Sequence, residues 1–72
     1  MVKIKISNLN NGIEYETSCK DLYKYFMECH RLLGIKTEEE IKLYTQAFEK
    51  QGYVQIPYRM YGYDMVISCM QI

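Results

Sequence analysis

The chain has 72 residues, of which 49% are hydrophobic and 25% charged, and its nine basic side chains balance nine acidic ones. This length and composition predict a single compact domain over residues 1–72 and exclude a chain too polar to fold. No stretch approaches the roughly 20 apolar residues of a membrane span, and Lys3 and Lys5 interrupt the apolar core that a signal peptide needs. We therefore expect a cytoplasmic protein of its host cell, with no membrane partner.

The N-terminal segment has the pattern of a β-hairpin. Residues 2–6 alternate apolar side chains with lysines, as in a strand that buries one face. The Asn-Gly pair at 11–12 is the preferred centre of a type I′ turn, and the β-prone run 13–17 follows it. A two-residue loop at this pair would place Thr17 opposite Ile6, with the apolar residues of both strands on one face.

Two amphipathic helices are predicted next. Apolar residues spaced by three and four across 22–33 predict a helix that ends at Gly34. Thr37 and Glu40 form a capping box at the start of a second helix, which ends at Gly52. The linker between the helices is short, so their apolar stripes should pack near one another.

The last third of the chain predicts a second hairpin. Residues 53–58 are typical of a strand, and Pro57 near its end indicates an edge position because proline has no N–H to donate. Residues 61–62 provide the turn. In residues 64–72, apolar side chains occur at both odd and even positions, so both faces of this strand are apolar. This pattern predicts a strand that is buried on both faces or covered by a partner. The expected fold is α+β, ordered ββααββ, with two helices packed on one face of a four-stranded, mostly antiparallel sheet.

The sequence has few features of an enzyme or a metal protein. Cys19, Cys29 and Cys69 lack the spacing of a zinc site or a disulfide framework. His30 is the only histidine, and its place on the polar side of the first helix favours a surface residue over a catalytic base. Phosphate-binding and metalloprotease motifs are absent. We expect no enzymatic activity, no cofactor and no bound metal.

Tyrosine is the residue that departs most from ordinary usage, with eight in 72 residues. Tyrosine, arginine and methionine are enriched at protein interfaces because they offer large contact areas with a polar tip. Tyrosine is also favoured in strands, so a small domain that covers its own sheet accounts for the same pattern. The predicted partner-binding residues are Tyr53, Tyr58, Arg59, Met60, Tyr61 and Tyr63.

Two alternative functions follow from other parts of the chain. The stretch FEKQGYVQI with its following hairpin is similar to the end of the recognition helix and the wing of winged-helix DNA-binding domains, which implies a small transcription regulator. That family has three helices, whereas two are predicted for this chain. The helix compared with the recognition helix carries acidic residues, whereas contacts with phosphates require cations. Separately, exposed Leu9 and an apolar C-terminus with Met70 and Ile72 predict a homodimeric adaptor.

The leading hypothesis is a non-enzymatic module that sterically blocks a larger host protein or ribonucleoprotein, with the Tyr-rich hairpin as its anchor. Single-stranded nucleic acid stacked on exposed tyrosines, with Lys3, Lys5 and Arg59 as its cations, is a further alternative. Direct binding of this kind is disfavoured because the net charge is zero and the cations are few. In size and composition the chain resembles the small accessory proteins of bacteriophages and mobile elements of low-GC hosts, including anti-CRISPR proteins. Those families share no sequence signature, so the resemblance assigns a role to no individual residue.

Overall fold

A computed structural model describes residues 1–29 and 36–72 of the chain. It confirms the predicted α+β class and the order ββααββ. The elements are β1 Val2–Asn8, β2 Glu14–Cys19, α1 Leu22–Glu28, α2 Glu38–Gln51, β3 Tyr53–Met60 and β4 Tyr63–Gln71. All strand pairs are antiparallel, and the sheet order is β2-β1-β4-β3.

The core lies between one face of the sheet and the two helices. Ile4 of β1 and Cys69 of β4 are directly paired at the centre of the sheet, and both are fully buried. The helices contribute the apolar side chains that cover this face, which are Leu22 and Phe26 of α1 and Ile41 and Phe48 of α2. Burial of these side chains on the inner face leaves the outer face of the sheet uncovered in the described part of the chain.

Side-chain and backbone caps determine where the helices begin and end. Asp21 caps α1, because its carboxylate accepts a hydrogen bond from the Lys24 N–H at 3.1 Å. The backbone turns away from helical geometry at Cys29, with φ −85° and ψ 76°, so α1 ends before the predicted Gly34. Residues 30–34 of that prediction lie outside the described residues.

The second helix has the predicted ends. The Thr37 hydroxyl accepts a hydrogen bond from the Glu40 N–H at 3.2 Å, as a capping residue should. Gly52 closes the helix in the left-handed conformation, at φ 71°, which glycine adopts without a Cβ penalty. The three glutamates Glu38, Glu39 and Glu40 lie in the first turn, where the helix dipole favours negative charge.

The predicted type I′ turn at 11–12 is wrong. The Asn8 N–H donates to the Ile13 carbonyl at 2.9 Å, and the Gly12 N–H donates to the Asn8 carbonyl at 2.9 Å, which leaves residues 9–12 as a longer loop. Ile6 therefore pairs with Tyr15 instead of the predicted Thr17. Because the shift is by an even number of residues, the predicted faces of both strands are retained.

The cause of the longer loop is the side chain of Asn8. Its Oδ1 accepts hydrogen bonds from the backbone N–H groups of Asn10, at 2.9 Å, and Asn11, at 3.3 Å. This local turn holds the chain so that Gly12 alone has a positive φ, of 76°, where a type I′ turn would require one at Asn11 as well.

The type I′ geometry occurs at the second hairpin. Tyr61 and Gly62 both have positive φ, of 52° and 80°, and they connect the paired residues Met60 and Tyr63. The turn at 61–62 is therefore confirmed. In the described part of the chain, Tyr61 is the one residue other than glycine with a positive φ.

The strands of this hairpin occupy different positions in the sheet. β3 is an edge strand, as Pro57 predicted. β4 lies between β1 and β3, but only its inner face is buried, by Ile67 and Cys69. On the outer face Val66 is half-buried and Met70 is exposed, so the described residues do not bury this strand on both faces, and the alternative that a partner covers it stays a prediction. No helix in the described part of the chain is long and apolar enough to cross a membrane.

Candidate functional site

The tip of the β3–β4 hairpin is the most exposed aromatic surface of the described chain. Tyr61, in the turn itself, is 88% exposed, and Tyr63, the first residue of β4, is 47% exposed. Arg59 and Met60 end the preceding strand, and the Arg59 side chain is well exposed. We refer to Arg59, Met60, Tyr61 and Tyr63 as the hairpin tip.

The hairpin tip is held against the β1–β2 loop by hydrogen bonds to the backbone of Asp64. The Leu9 N–H donates to the Asp64 carbonyl at 2.8 Å, and the Asp64 N–H donates to Oδ1 of Asn10 at 2.6 Å. The Asp64 carboxylate also lies 3.9 Å from Nε of Arg59. These contacts fix the base of the tip, so that its side chains project from an ordered support.

An exposed apolar side chain from the β1–β2 loop extends the hairpin tip. Leu9 is 64% exposed and, with Arg59 and Pro57, lines an open groove on the outer side of the tip. The groove combines an aliphatic side chain, a rigid ring and a cation. This combination is suited to contact with the surface of a partner protein. Leu9 was predicted on the outer face from its parity, but the contact of its loop with Asp64 was not.

Two of the predicted partner-binding residues do not belong to the hairpin tip. Tyr58 is half-buried against the core, and this burial raises the pKa of its phenol. Tyr53 pairs with Met70 at the other end of β3. At about 3.3 Å per residue, it lies roughly 20 Å from Arg59 along the strand. The structure therefore places Arg59, Met60, Tyr61 and Tyr63 of the predicted set at one end of the hairpin, with Arg59 on the outer face and the paired Met60 and Tyr63 on the inner face.

The lysines of β1 are paired with carboxylates on the outer face. Lys5 Nζ lies 3.0 Å from a Glu14 carboxylate oxygen, and this hydrogen bond raises the pKa of Lys5. Lys3 Nζ lies 3.8 Å from Glu16. The basic footprint that a nucleic acid would need is thus offset by the acidic side chains of β2.

The hairpin resembling a wing is built into the sheet. β4 pairs with β1 from Met65 to Gln71, so the hairpin forms half of the sheet that carries the core. It therefore lacks the free projection with which a wing reaches along DNA. The first turn of the helix before it carries glutamates, as the sequence showed.

Two of the three described thiols, Cys19 and Cys69, are poorly suited to nucleophilic chemistry. Burial raises the pKa of Cys69 to about 12, and burial also raises the pKa of Cys19. A protonated, buried thiol is a weak nucleophile and a weak metal ligand. Within residues 1–29 and 36–72, no group of three or more histidine, cysteine and acidic side chains could hold a metal ion. The predicted surface role of His30 lies outside the described residues.

Comparison of the chain with protein-family models, with curated proteins and with solved structures finds no significant match.

Proposed function

We propose that the protein is a non-enzymatic binding module that attaches to a larger protein through its hairpin tip and acts by covering that partner's surface. Arg59, Met60, Tyr61 and Tyr63 form the anchor, and Leu9 extends it. The rest of the domain supplies a rigid support and the bulk that excludes other ligands of the partner. A small accessory protein that inhibits a host or defence system is the biological role that fits this mode of action.

The observation that carries the proposal is the conformation of Tyr61. A left-handed backbone costs an ordinary residue about 1 to 2 kcal/mol, and type I′ turns accordingly favour asparagine, aspartate or glycine at this position. Tyr61 adopts this conformation while its ring is almost fully exposed, so no packing within the described chain offsets the cost. Unfavourable backbone conformations of this kind concentrate at binding sites. A contact of the ring with a partner would offset the cost.

The character of the surrounding surface also supports a protein partner. The hairpin tip offers two aromatic rings, a thioether and a guanidinium, the side-chain types enriched in the centres of interfaces. Arg59 lies next to Asp64, so the tip carries charges of both signs. Such a surface favours a mixed protein surface over the uniform negative charge of a nucleic acid.

A capture experiment with matched variants tests the proposal. Tagged wild-type protein, Tyr61→Ala and Tyr53→Ala are each incubated with lysate of a low-GC bacterium, with and without nuclease treatment, and the retained proteins are quantified by mass spectrometry. Tyr53 is the control because it is an exposed tyrosine on the same strand, at the end remote from the tip. We expect a stoichiometric protein that wild type and Tyr53→Ala retain. An anchor residue contributes about 2 kcal/mol, so Tyr61→Ala should bind roughly thirtyfold more weakly.

Two outcomes would contradict the proposal. Equal capture by Tyr61→Ala would place the binding site away from the hairpin tip. Loss of all retained material on nuclease treatment, with steep weakening of binding at higher salt, would favour a nucleic-acid or ribonucleoprotein ligand instead.

A further inference from the structure

The free edge of β2 is open to a further strand. Within residues 1–29 and 36–72, only β1 pairs with β2. The hydrogen bond from the Asn8 N–H to the Ile13 carbonyl sets the phase of the antiparallel ladder. In that phase Glu14, Glu16 and Ser18 direct their N–H and C=O groups away from β1, and all three residues are exposed. These backbone groups are a template for β-sheet extension.

The other edge of the sheet is blocked. The Gln71 N–H donates to the Gly52 carbonyl, at 3.0 Å, which sets the phase of the β3–β4 ladder. Pro57 is then one of the residues of β3 whose backbone faces the free edge, in the middle of the strand. Proline has no N–H to donate, so an added strand would lose a hydrogen bond there. No proline interrupts β2.

The side chains along β2 define what kind of strand would fit. On the outer face, Glu14 and Glu16 remain exposed although each forms an ion pair with a lysine of β1. Each carboxylate can accept a further hydrogen bond, because a carboxylate accepts from more than one donor. On the inner face, Ile13 is 68% exposed and Tyr15 is 61% exposed. A strand added to this edge would therefore meet negative charge on one face and apolar surface on the other.

We propose that the free edge of β2 binds an extended segment of a partner protein in which basic and apolar residues alternate. A strand with this alternation already pairs with the opposite side of β2, because β1 is such a strand. Its Lys3 and Lys5 form ion pairs with the glutamates. Its Ile4 and Ile6 pair with Thr17 and Tyr15. A second such strand would repeat these contacts on the free side. The site is separate from the hairpin tip and does not rest on the function proposed for it.

A second copy of this chain is a poor occupant of the same edge. Antiparallel pairing of two β2 strands would bring the glutamates of one copy beside those of the other, and like charges across a strand pair are destabilising. Charge complementarity therefore favours a different, basic strand.

The test uses the full chain, labelled with ¹⁵N, and a capped peptide of alternating lysine and valine about seven residues long, the usual length of a strand. We expect chemical-shift changes and slowed hydrogen exchange at the amides of Glu14, Glu16 and Ser18. A peptide of alternating glutamate and valine and a peptide with the lysines and valines in two blocks serve as controls, and neither should bind.

Two variants of β2 separate backbone pairing from charge. Ser18→Pro removes an N–H that faces away from β1, as the proline of β3 does at the other edge, and leaves both glutamates in place. The double variant Glu14→Lys, Glu16→Lys keeps the backbone and reverses the charge. Each should weaken binding of the lysine peptide by at least about tenfold, and the double variant should gain the glutamate peptide. Tyr61→Ala should bind as wild type does.

Several results would overturn the proposal. The lysine peptide could fail to bind at millimolar concentration, or the block peptide could bind equally well. Chemical-shift changes confined to β3 or the hairpin tip would also contradict the proposal. A wild-type dimer in sedimentation experiments that Ser18→Pro dissociates would show that a second copy occupies the edge instead.

Discussion

Replacement of Tyr61 by asparagine should stabilise the protein. Tyr61 has φ 52° in a type I′ turn, and asparagine adopts this region at much lower cost than tyrosine does. The ring is 88% exposed, so its removal sacrifices little packing. Relief of the left-handed conformation should add about 1 kcal/mol to the free energy of unfolding, which for a domain of this size raises Tm by about 4 to 8 °C.

Thermal unfolding followed by circular dichroism measures this effect, with Tyr61→Ala as the control. Alanine removes the ring but carries the same Cβ, so it retains most of the cost of the left-handed backbone. We therefore expect Tyr61→Asn to unfold at a higher temperature than wild type, and Tyr61→Ala to unfold close to wild type. Both variants should lose partner binding equally, because both lack the ring. Equal Tm values for the asparagine and alanine variants would refute the argument from backbone conformation.

Three further predictions concern the core and the caps. Thr37→Ala removes the acceptor for the Glu40 N–H and should cost about 1 kcal/mol in chemical denaturation, whereas a cost near zero would show that the cap contributes nothing. Ile4→Val should cost about 0.5 to 1.5 kcal/mol because Ile4 is fully buried, and Ile72→Val, at an exposed position, should stay within about 0.5 kcal/mol of wild type. Burial raises the pKa of Cys69 to about 12 in the folded protein, above the 9.0 of an ordinary thiol, so the unfolded chain loses this proton first. The contribution of this thiol to stability should be fully present below about pH 8 and should be lost progressively as the pH rises toward 12, with a loss of about 1 kcal/mol at pH 10, and the decline should be shallower in Cys69→Ala.

The two turns show what sequence patterns predict well and where they fail. The Asn-Gly pair at 11–12 has the preferred composition of a type I′ turn, yet its neighbour Asn8 captures two backbone N–H groups and enlarges the loop. The Tyr-Gly pair at 61–62 has a poor composition for that turn and adopts it. Pairing of β4 on both sides aligns the strands there and overrides the local preference of Tyr61.

Alternation and capping signals predicted most of the fold. The period-two pattern of β1, the Thr37 cap and the edge position of Pro57 all depend on local chemistry, which the sequence displays directly. The pattern of β4 was harder to interpret, because a central strand and a strand covered on both faces both carry apolar residues at each parity. Whether one face or both faces of a strand are covered depends on the rest of the fold, which the local sequence does not show.

The candidate site was predicted as a segment, and the structure divides it. Composition identified the tyrosines around Pro57, but composition does not distinguish an anchor from a core residue. The alternation along β3 sends Tyr58 into the core, and the length of the strand separates Tyr53 from the tip. The support that Asn10 and Leu9 give to Asp64 spans most of the chain, and no local pattern indicates it.

The arrangement of the domain separates stability from recognition. Ile4 and Cys69, the fully buried side chains, lie near the middle of the central strands, whereas Tyr61 lies beyond Met60 and Tyr63, the last pair of the β3–β4 ladder. A strained turn at that position weakens few other contacts, so its cost stays near the cost of one backbone conformation. The same turn placed beside the core would disturb the packing of both helices. A small domain can therefore retain Tyr61 in an unfavourable conformation. Tyr61→Ala, which removes the ring but keeps the cost of the backbone conformation, should change binding with little effect on folding, whereas substitutions at Ile4 should do the reverse.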